Sequence, residues 1–406
     1  MKKIKILFIT DSFPPEVNAP ATRTYEHAIE WQKKGAEITI ITCAPNIPHG
    51  TVYQGYKNKL YQKEIYKGIE VIRVWSYMTS QNSGFVKKVL DYASFSIMAF
   101  FIGLFLKYDI LIATSPQLFT TWSAFFLSKF RRKPWIFELR DIWPESIKSV
   151  GIMNDGIIFR FLEKVELFLY RDATKVVAVT DAFKSNLVSR GIDAEKVEVI
   201  TNGSNLKLFK PRKKNIILLE KLKLEDKFIV GYIGTHGLAH SLDFIVNAIS
   251  IIFDKNIHFL FIGDGSMKKR VIEIAHNMHL KNITFLDPVS KREVPEYLSI
   301  IDVSLVPLKK VDNFKTVIPS KIFEASAMGK PTLLGVEGEA KEIIEKYDAG
   351  LCFEPENKLD FIAKLLILKN DEETYRVCQK GCRKLAYHFN RKMLANKMLT
   401  VIKESI

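Results

Sequence analysis

The chain has 406 residues, of which 47% are apolar, and a formal charge of +15. That length and apolar content allow two or three domains with sizeable cores and exclude general disorder. Four scattered cysteines, Cys43, Cys352, Cys378 and Cys382, exclude a disulfide framework, and no Cys or His pair stands near Cys378 and Cys382 to complete a zinc site.

The opening MKKIKILFIT runs directly into a strand without a small-residue cleavage site, so no secretory leader is read. Reduced thiols in a cytoplasmic protein are expected. A loop and a helix through TYEHAIEWQKKG lead to the strand EITIIT. GIEVIRVW, DILIATS, WIFEL, KVVAVT and KVEVIT are further strands. Buried strands between helices predict a parallel sheet covered on both faces. Between them, residues 92–106 (YASFSIMAFFIGLFL) carry no charge, yet fall short of the ~20 residues a spanning helix needs. FTTWSAFFLSKFRRK then mixes aromatics with a basic end. Apolar faces edged by Lys and Arg suit a membrane surface, and a helix buried against the sheet fits the same residues. The excess of Lys and Arg predicts a negatively charged partner: nucleic acid, acidic lipid or a phosphate-bearing substrate.

After TNGSNLKLFKPRKKN the rhythm restarts with KFIVGYIG, IHFLFIGDG, NITFLD, DVSLVPL, PTLLG and GLCFEP as strands between helices. The chain therefore reads as two doubly wound α/β halves. The expected boundaries are residues 1–205, residues 206–388, and a final helix in 389–406 that returns to the first domain.

Ligands of such sheets sit beyond the carboxyl ends of the strands. In the second half those loops are GTHG (234–237), GDGS (263–266), DPVS (287–290) and KTVIPSK (315–321). Glycines there let backbone N–H groups approach a phosphate. In TVIPSKIFEASAMGKP, Pro319 suits a first helical turn, and Ser320 and Lys321 fall at the positive end of the helix dipole. Glu324, at i+3 from Lys321, is expected on the same side. A phosphate at the tip and a hydroxyl-bearing ring one turn in fit this helix; a plain surface Lys–Glu pair fits it as well. In the first half the loops are DSFPPEVNAPATR, TSPQ and RDIWPES.

These stretches together make the chain resemble family 4, or group 1, retaining glycosyltransferases of the GT-B fold: two Rossmann-like domains facing a central cleft. FPPEVNAPATRTYEHAIEWQKKGAEITIIT, ELRDIWPES, VITNGSNLKLF, GYIGTHGLAHSLDFIVNAI, LFIGDG and PSKIFEASAMGKP carry the resemblance over essentially the whole length. RDIWPES and PSKIFEASAMGKP are similar to the branch with N-acetyl-L-fucosamine transferases of bacterial surface polysaccharides. The resemblance implies a nucleotide-sugar donor, for example a UDP-linked N-acetylated hexosamine or 6-deoxyhexosamine. It also implies a polyprenyl-diphosphate-linked saccharide as acceptor, at the inner face of the cytoplasmic membrane.

The family's site residues carry over unevenly. Glu324 matches the ribose-binding glutamate, but its usual carboxylate partner falls on Thr316. The usual phosphate-binding Arg and Lys fall on Thr235 and His240, which leaves Lys321 as the replacement cation and Lys315 as a second candidate. Gly234, Thr235, His236, Gly263, Gly265, Val289 and Ser320 complete the implied donor side, with backbone near Gly263 and Val289 recognising the base. Arg140 and Asp141 stand where relatives have His-Asp beside the reacting sugar, so with Lys321 they are the catalytic candidates. A structural Arg–Asp pair tying down the loop is the other reading of those two. The first loop has Asn18-Ala19-Pro20 in place of two glycines, and Asn18 and Arg23 are candidates for the acceptor side.

No Asp-x-Asp pair occurs in the chain, which fits a transferase without metal or other cofactor. His236 and His240 have H-x-x-x-H spacing, but Gly237 interrupts the helix such a metal pair assumes. Two rival classes remain: a nucleotide-sugar 2-epimerase of the same shape, against which the apolar run 92–106 argues, and a non-enzymatic nucleic-acid binder, suggested by charge alone and lacking any RNP-like or zinc-finger pattern.

Overall fold

The computed structural model describes residues 3–47, 49–80, 83–115, 118–145 and 156–406. Pro116, Gln117 and Ser146, which belong to two of the strand-end loops singled out above, lie outside the described residues. The chain divides into two compact units, Met1–Thr201 with Lys392–Ile406, and Asn202–Arg391.

Unit 1 runs β1 (Lys5–Ile9), α1 (Ala19–Lys33), β2 (Glu37–Cys43), β3 (Tyr61–Tyr66), β4 (Ile69–Val74), α2 (Phe85–Gly103), β5 (Ile110–Thr114), α3 (Leu118–Arg131), β6 (Trp135–Leu139), α4 (Ile157–Asp172), β7 (Lys175–Ala178), α5 (Asp181–Ser189) and β8 (Val197–Val199). Its eight strands lie in the order β3-β4-β2-β1-β5-β6-β7-β8. β1 pairs in parallel with β2 and β5, and Ile6, Leu7, Phe8 and Ile9 are all buried because both sheet faces are covered. The sequence gives little sign of β3, which is antiparallel to β4. Its residues YQKEIY alternate between exposed and half-buried at the sheet edge, so they form no apolar run. The hairpin closes through Lys67 and Gly68, both at positive φ, as a two-residue turn between antiparallel strands requires.

Unit 2 runs α6 (Ile216–Leu222), β9 (Phe228–Ile233), α7 (Leu242–Ile249), β10 (Ile257–Ile262), α8 (Lys268–Asn277), β11 (Ile283–Leu286), α9 (Val294–Ile300), β12 (Val303–Pro307), α10 (Lys321–Ala327), β13 (Thr332–Gly335), α11 (Glu339–Tyr347), β14 (Gly350–Cys352), α12 (Lys358–Asn370) and α13 (Glu372–His388). Its sheet has the order β11-β10-β9-β12-β13-β14 and is parallel throughout. The last helix, α14 (Arg391–Glu404), gives Ala395, Met398 and Ile402 to the core beneath β1, β2 and α1 of unit 1. There the buried Trp31 donates its indole N–H to Ala395 O at 2.8 Å.

Each sheet reverses its winding once. In unit 1 the crossovers leave β1 toward β2 on one side and β5 on the other; in unit 2 they leave β9 toward β10 and β12. Strand-end loops part at such points and leave a crevice for a ligand.

One acceptor-side expectation is corrected here. Arg23 does not reach a substrate. It is 1% exposed, its Nε donates to Glu138 Oε1 at 2.8 Å, and its other nitrogens donate to Thr201 O and Ile200 O. Burial pushes the Glu138 carboxyl up, but the charges of Arg23 and Arg140 outweigh it and hold it below its ordinary value. Asn18 caps α1. Its Oδ1 accepts the Ala21 N–H at 2.9 Å, and its Nδ2 donates to Ser12 Oγ at 3.2 Å. Loop sequence near a strand end suggested a site, whereas the buried ion pair uses up the Arg23 side chain; the half-buried Asn18 keeps an amide N–H beside its cap.

Removing one partner of a buried pair strands the other charge. Arg23→Ala is therefore expected to cost about 3–5 kcal/mol of stability. A denaturant midpoint in the variant equal to that of the parent overturns this role.

Candidate functional site

The crevice at the β9/β12 switch point begins with glycine. After β9 come Gly234–Gly237, and after β10 come Gly263–Ser266. Gly234, Gly263 and Gly265 have φ of +146°, +143° and +157°. A Cβ on Gly263 would lie 1.9 Å from Gly234 O, and one on Gly265 would lie 2.5 Å from His236 O. The two loops thus pack backbone on backbone, where only glycine fits. Hydrogen bonds lace them together: Gly234 N–H donates to Ile262 O, His236 N–H to Asp264 O, and Met267 N–H to His236 O, each at 2.8 Å. Asp264 Oδ1 accepts the Gly265 N–H, so that carboxylate shapes a turn.

Lys321 crosses over these loops. A Cβ on Gly234 would meet Lys321 Cε at 2.5 Å and Nζ at 2.9 Å. The ammonium rests 3.6 Å from the centre of the Tyr232 ring, whose hydroxyl is fixed on Thr235 O at 2.5 Å. Among the described residues Lys321 makes no ion pair or hydrogen bond. Burial pushes its pKa down to about 7, although the neighbouring Glu324 pulls it up. His236 is fully buried, and neither ring nitrogen has a partner among the described residues. Burial, then the charges of Lys268 and Lys321, lower its pKa to about 4. For His240 burial and Lys321 lower it to about 3. Both rings are therefore neutral near pH 7, and neither replaces the missing basic residues as a cation.

The helix carrying Lys321 starts later than the proline suggested. Ser320 is its N-cap, without a side-chain cap bond, and Pro319 lies in the preceding turn, where its carbonyl accepts the Ile322 N–H. Glu324 pairs with Lys291 rather than with Lys321. Lys291 follows the DPVS loop and also lies 5.1 Å from the Phe209 ring centre. Lys315, the second phosphate candidate, is held by Asp312 at 2.8 Å and Glu337 at 3.6 Å. Thr235 is exposed at the crevice edge, while Val289 is half-buried after β11. The sequence reading missed Lys291 and Tyr232. Lys291 is the residue after a loop already singled out, but its reach to Glu324 depends on how β11 and α10 are placed.

In unit 1, Arg140 and Asp141 follow β6, and the Arg140 N–H donates to Ser115 Oγ at 2.9 Å. The ends of β1, β2 and β4 and the start of α2 enclose a cavity of about 80 Å³, lined by Asp11, Asn46, Thr79, Lys88, Asp91 and Tyr92 among others. Burial, Glu16 and Asp91 raise Asp11 to about 7, with Arg140 opposing, and burial raises Asp91 to about 6. Carboxyl, amide and hydroxyl groups around an aromatic ring suit a polyhydroxylated ligand. Among the described residues no group of three or more His, Cys, Asp or Glu is placed to hold a metal ion.

Comparison with known proteins places this geometry. Residues 18–203 match the glycosyl transferase 4-like domain, and residues 214–385 match glycosyl transferases group 1. The chain is a group 1 glycosyltransferase. The glycosyltransferase is 25% identical to a protein of Escherichia coli K12 named for colanic acid biosynthesis glycosyl transfer, WcaI, over 87% of this chain and 89% of that one. It is 22% identical to the E. coli UDP-Gal:alpha-D-GlcNAc-diphosphoundecaprenol alpha-1,3-galactosyltransferase, over 58% and 60% of the two chains. Among solved structures, Anabaena HepE in complex with UDP-glucose superposes with a TM-score of 0.75 at 16% identity, over 99% and 100% of the chains. A UDP-N-acetylglucosamine 2-epimerase structure from Listeria monocytogenes gives 0.63 at 15% identity, over 99% and 96%. Both structural likenesses speak to the fold, the two Rossmann-like α/β domains of GT-B proteins.

The environment of Lys321 is directly measurable. In protein carrying ¹³C-labelled lysine, its ε-carbon is expected to titrate with a midpoint near pH 7. Glu324→Gln removes an attracting negative charge and is expected to lower that midpoint further. An ordinary lysine midpoint above pH 10 in the parent removes Lys321 from a desolvated site.

Proposed function

We propose that the glycosyltransferase moves a sugar from a UDP-linked donor to a polyprenyl-diphosphate-linked saccharide, in the synthesis of an O-antigen, capsule or other surface polysaccharide. The donor sugar we favour is an N-acetylated hexosamine or 6-deoxyhexosamine, such as N-acetyl-L-fucosamine, transferred with retention. The reaction takes place at the inner face of the cytoplasmic membrane.

The observation that carries this reading is Lys321, an ammonium that makes no ion pair or hydrogen bond among the described residues, parked on Tyr232 beside glycine loops at the switch point. A diphosphate supplies the missing negative charge. As the bond between the anomeric carbon and the phosphate oxygen breaks, charge grows on the leaving diphosphate, and a fixed, desolvated cation stabilises that state more than the ground state. The new bond forms between the acceptor oxygen and the anomeric carbon, and the acceptor proton passes to the leaving phosphate. The protein itself supplies the phosphate cation, so no metal is invoked. Glu324 accepts from the ribose hydroxyls, with Lys291 holding the carboxylate in place. The cavity at Asp11 and Asp91 takes the acceptor sugar, and Arg140 and Asp141 are the catalytic candidates of unit 1. For the epimerase alternative, the likeness is one of fold.

Lys321→Ala is expected to weaken UDP binding more than uridine binding, because only UDP presents phosphate charge. Equal losses for both ligands make Lys321 structural. Glu324→Gln is expected to lower UDP affinity by roughly tenfold or more, the worth of a hydrogen bond to a charged group. Above pH 7 free Lys321 loses its proton, while a bound diphosphate holds that proton on. UDP affinity is thus expected to fall with rising pH, by at most about tenfold per unit, and to lose this slope in Lys321→Ala. Incubation with radiolabelled UDP-N-acetylhexosamine and membrane lipid extract decides the reaction class: label is expected in the lipid fraction. Release of the 2-epimer without lipid favours the epimerase.

A further inference from the structure

We propose that the outer face of α2, α3 and α4 is a docking surface for an anionic lipid bilayer. This deepens the reading of a lipid-linked acceptor, although its physical basis is separate from the donor site.

Each of these helices already spends one apolar stripe on the core of unit 1: Phe95 and Ala99 from α2, Ala124 and Leu127 from α3, Leu169 and Tyr170 from α4. A second apolar stripe on the opposite side therefore needs another explanation. On α2 and just beyond it, Val86, Leu90, Ile97, Phe101 and Phe105 follow one another at helical spacing and are all exposed, Phe105 at 85%. On α3, Trp122, Phe126 and Phe130 stand four apart, with Phe130 70% exposed. On α4, Ile157 is 90% exposed, and Ile158, Phe161 and Phe168 continue the same side. Ring contacts join the three helices into one face: Phe100 lies 5.6 Å from Phe130, and Phe125 lies 5.3 Å from Phe168. Single exposed apolar residues are ordinary, but a continuous aromatic face over three helices marks an interaction site.

Charge selects the occupant. Residues 85–133 carry seven Lys or Arg against two Asp; Lys88 lines the polar cavity and Lys129 pairs with Asp172, while Lys87, Lys107, Arg131 and Arg132 are exposed and make the edge positive. Both aspartates are turned to the protein: Asp109 accepts the Lys5 N–H at 2.9 Å, and Asp91 accepts the Thr79 N–H at 3.1 Å. On α4, Glu163 and Glu166 are both drawn to Arg190, while Arg160 and Lys164 are exposed. Arg131 and Arg132 close the end of α3 in solvent. A second copy would bring the same positive rim against this one, whereas an anionic bilayer satisfies both the rim and the rings. No helix among the described residues is long and apolar enough to cross a membrane, so the helices lie along the surface.

The test is flotation of the full chain with vesicles of phosphatidylcholine plus phosphatidylglycerol, and of phosphatidylcholine alone, at low and high salt. UDP binding is followed in parallel by calorimetry. The protein is expected to float with the anionic vesicles at low salt and to be partly released by high salt. Arg131→Glu with Arg132→Glu is expected to weaken this binding by about tenfold or more, with UDP binding unchanged. Phe105→Ser with Phe130→Ser is expected to weaken it as well; should that pair fail to fold, the arginine pair still decides. Parent protein that binds UDP but ignores anionic vesicles at low salt overturns the proposal. So does a dimer, seen by light scattering, that the Phe105→Ser and Phe130→Ser pair dissolves. Vesicle binding without UDP binding supports the surface and counts against the donor reading alone.

Discussion

The approach of the Gly234 carbonyl to Gly263 is the constraint on which the second unit's site depends. At that distance no side chain fits between the strand-end loops, so they close on each other through backbone hydrogen bonds alone. At the end of β9 the end of the Lys321 side chain lies over Gly234. Were Gly234 any other residue, its Cβ would occupy the place of the lysine methylene. The glycines therefore set the loop shape and leave room for Lys321 over Gly234.

The placement of Lys321 gains meaning from how other basic groups of the chain are used. Arg23 is locked to Glu138, Lys291 to Glu324, Lys268 to Asp287, and Lys315 to Asp312 and Glu337. In each pair the charge is already compensated. Among the described residues Lys321 contacts an aromatic face and makes no ion pair, and burial disfavours its charged form. A group held in this way gains most from an arriving anion, because its desolvation has already been met by the fold. His236 and His240 make the surroundings polar without adding charge.

The two units use a shared topology for different surfaces. Both sheets reverse at one strand and gather their polar loops there. Unit 2 lines that place with glycine and lysine, which suits phosphate. Unit 1 lines it with carboxyl, amide and hydroxyl groups, which suits a saccharide. Unit 1 also turns an apolar face of α2, α3 and α4 to solvent, with Glu163 and Glu166 drawn to Arg190 and Arg131 and Arg132 exposed.

Much of this was legible in the sequence. Apolar runs separated by helices determined two doubly wound halves, since strands covered on both faces must be nearly continuously apolar. The glycines after β9 and β10 marked a close backbone approach, and the combined motifs pointed to group 1 glycosyltransferases. The edge strand β3 was not legible, because it buries too little to show a pattern. Nor were the fates of single side chains. Asn18 and Arg23 sit in a loop and helix start that look available, yet Arg23 meets Glu138, 115 positions away, and is consumed there. Glu324 has Lys321 as its neighbour along the helix, yet takes Lys291 from another loop. The physical reason is range. Secondary structure follows from periodicity within a few residues, and so is written locally. The partner of a charged side chain depends on which strand ends the crossovers bring together, and only the tertiary structure decides that.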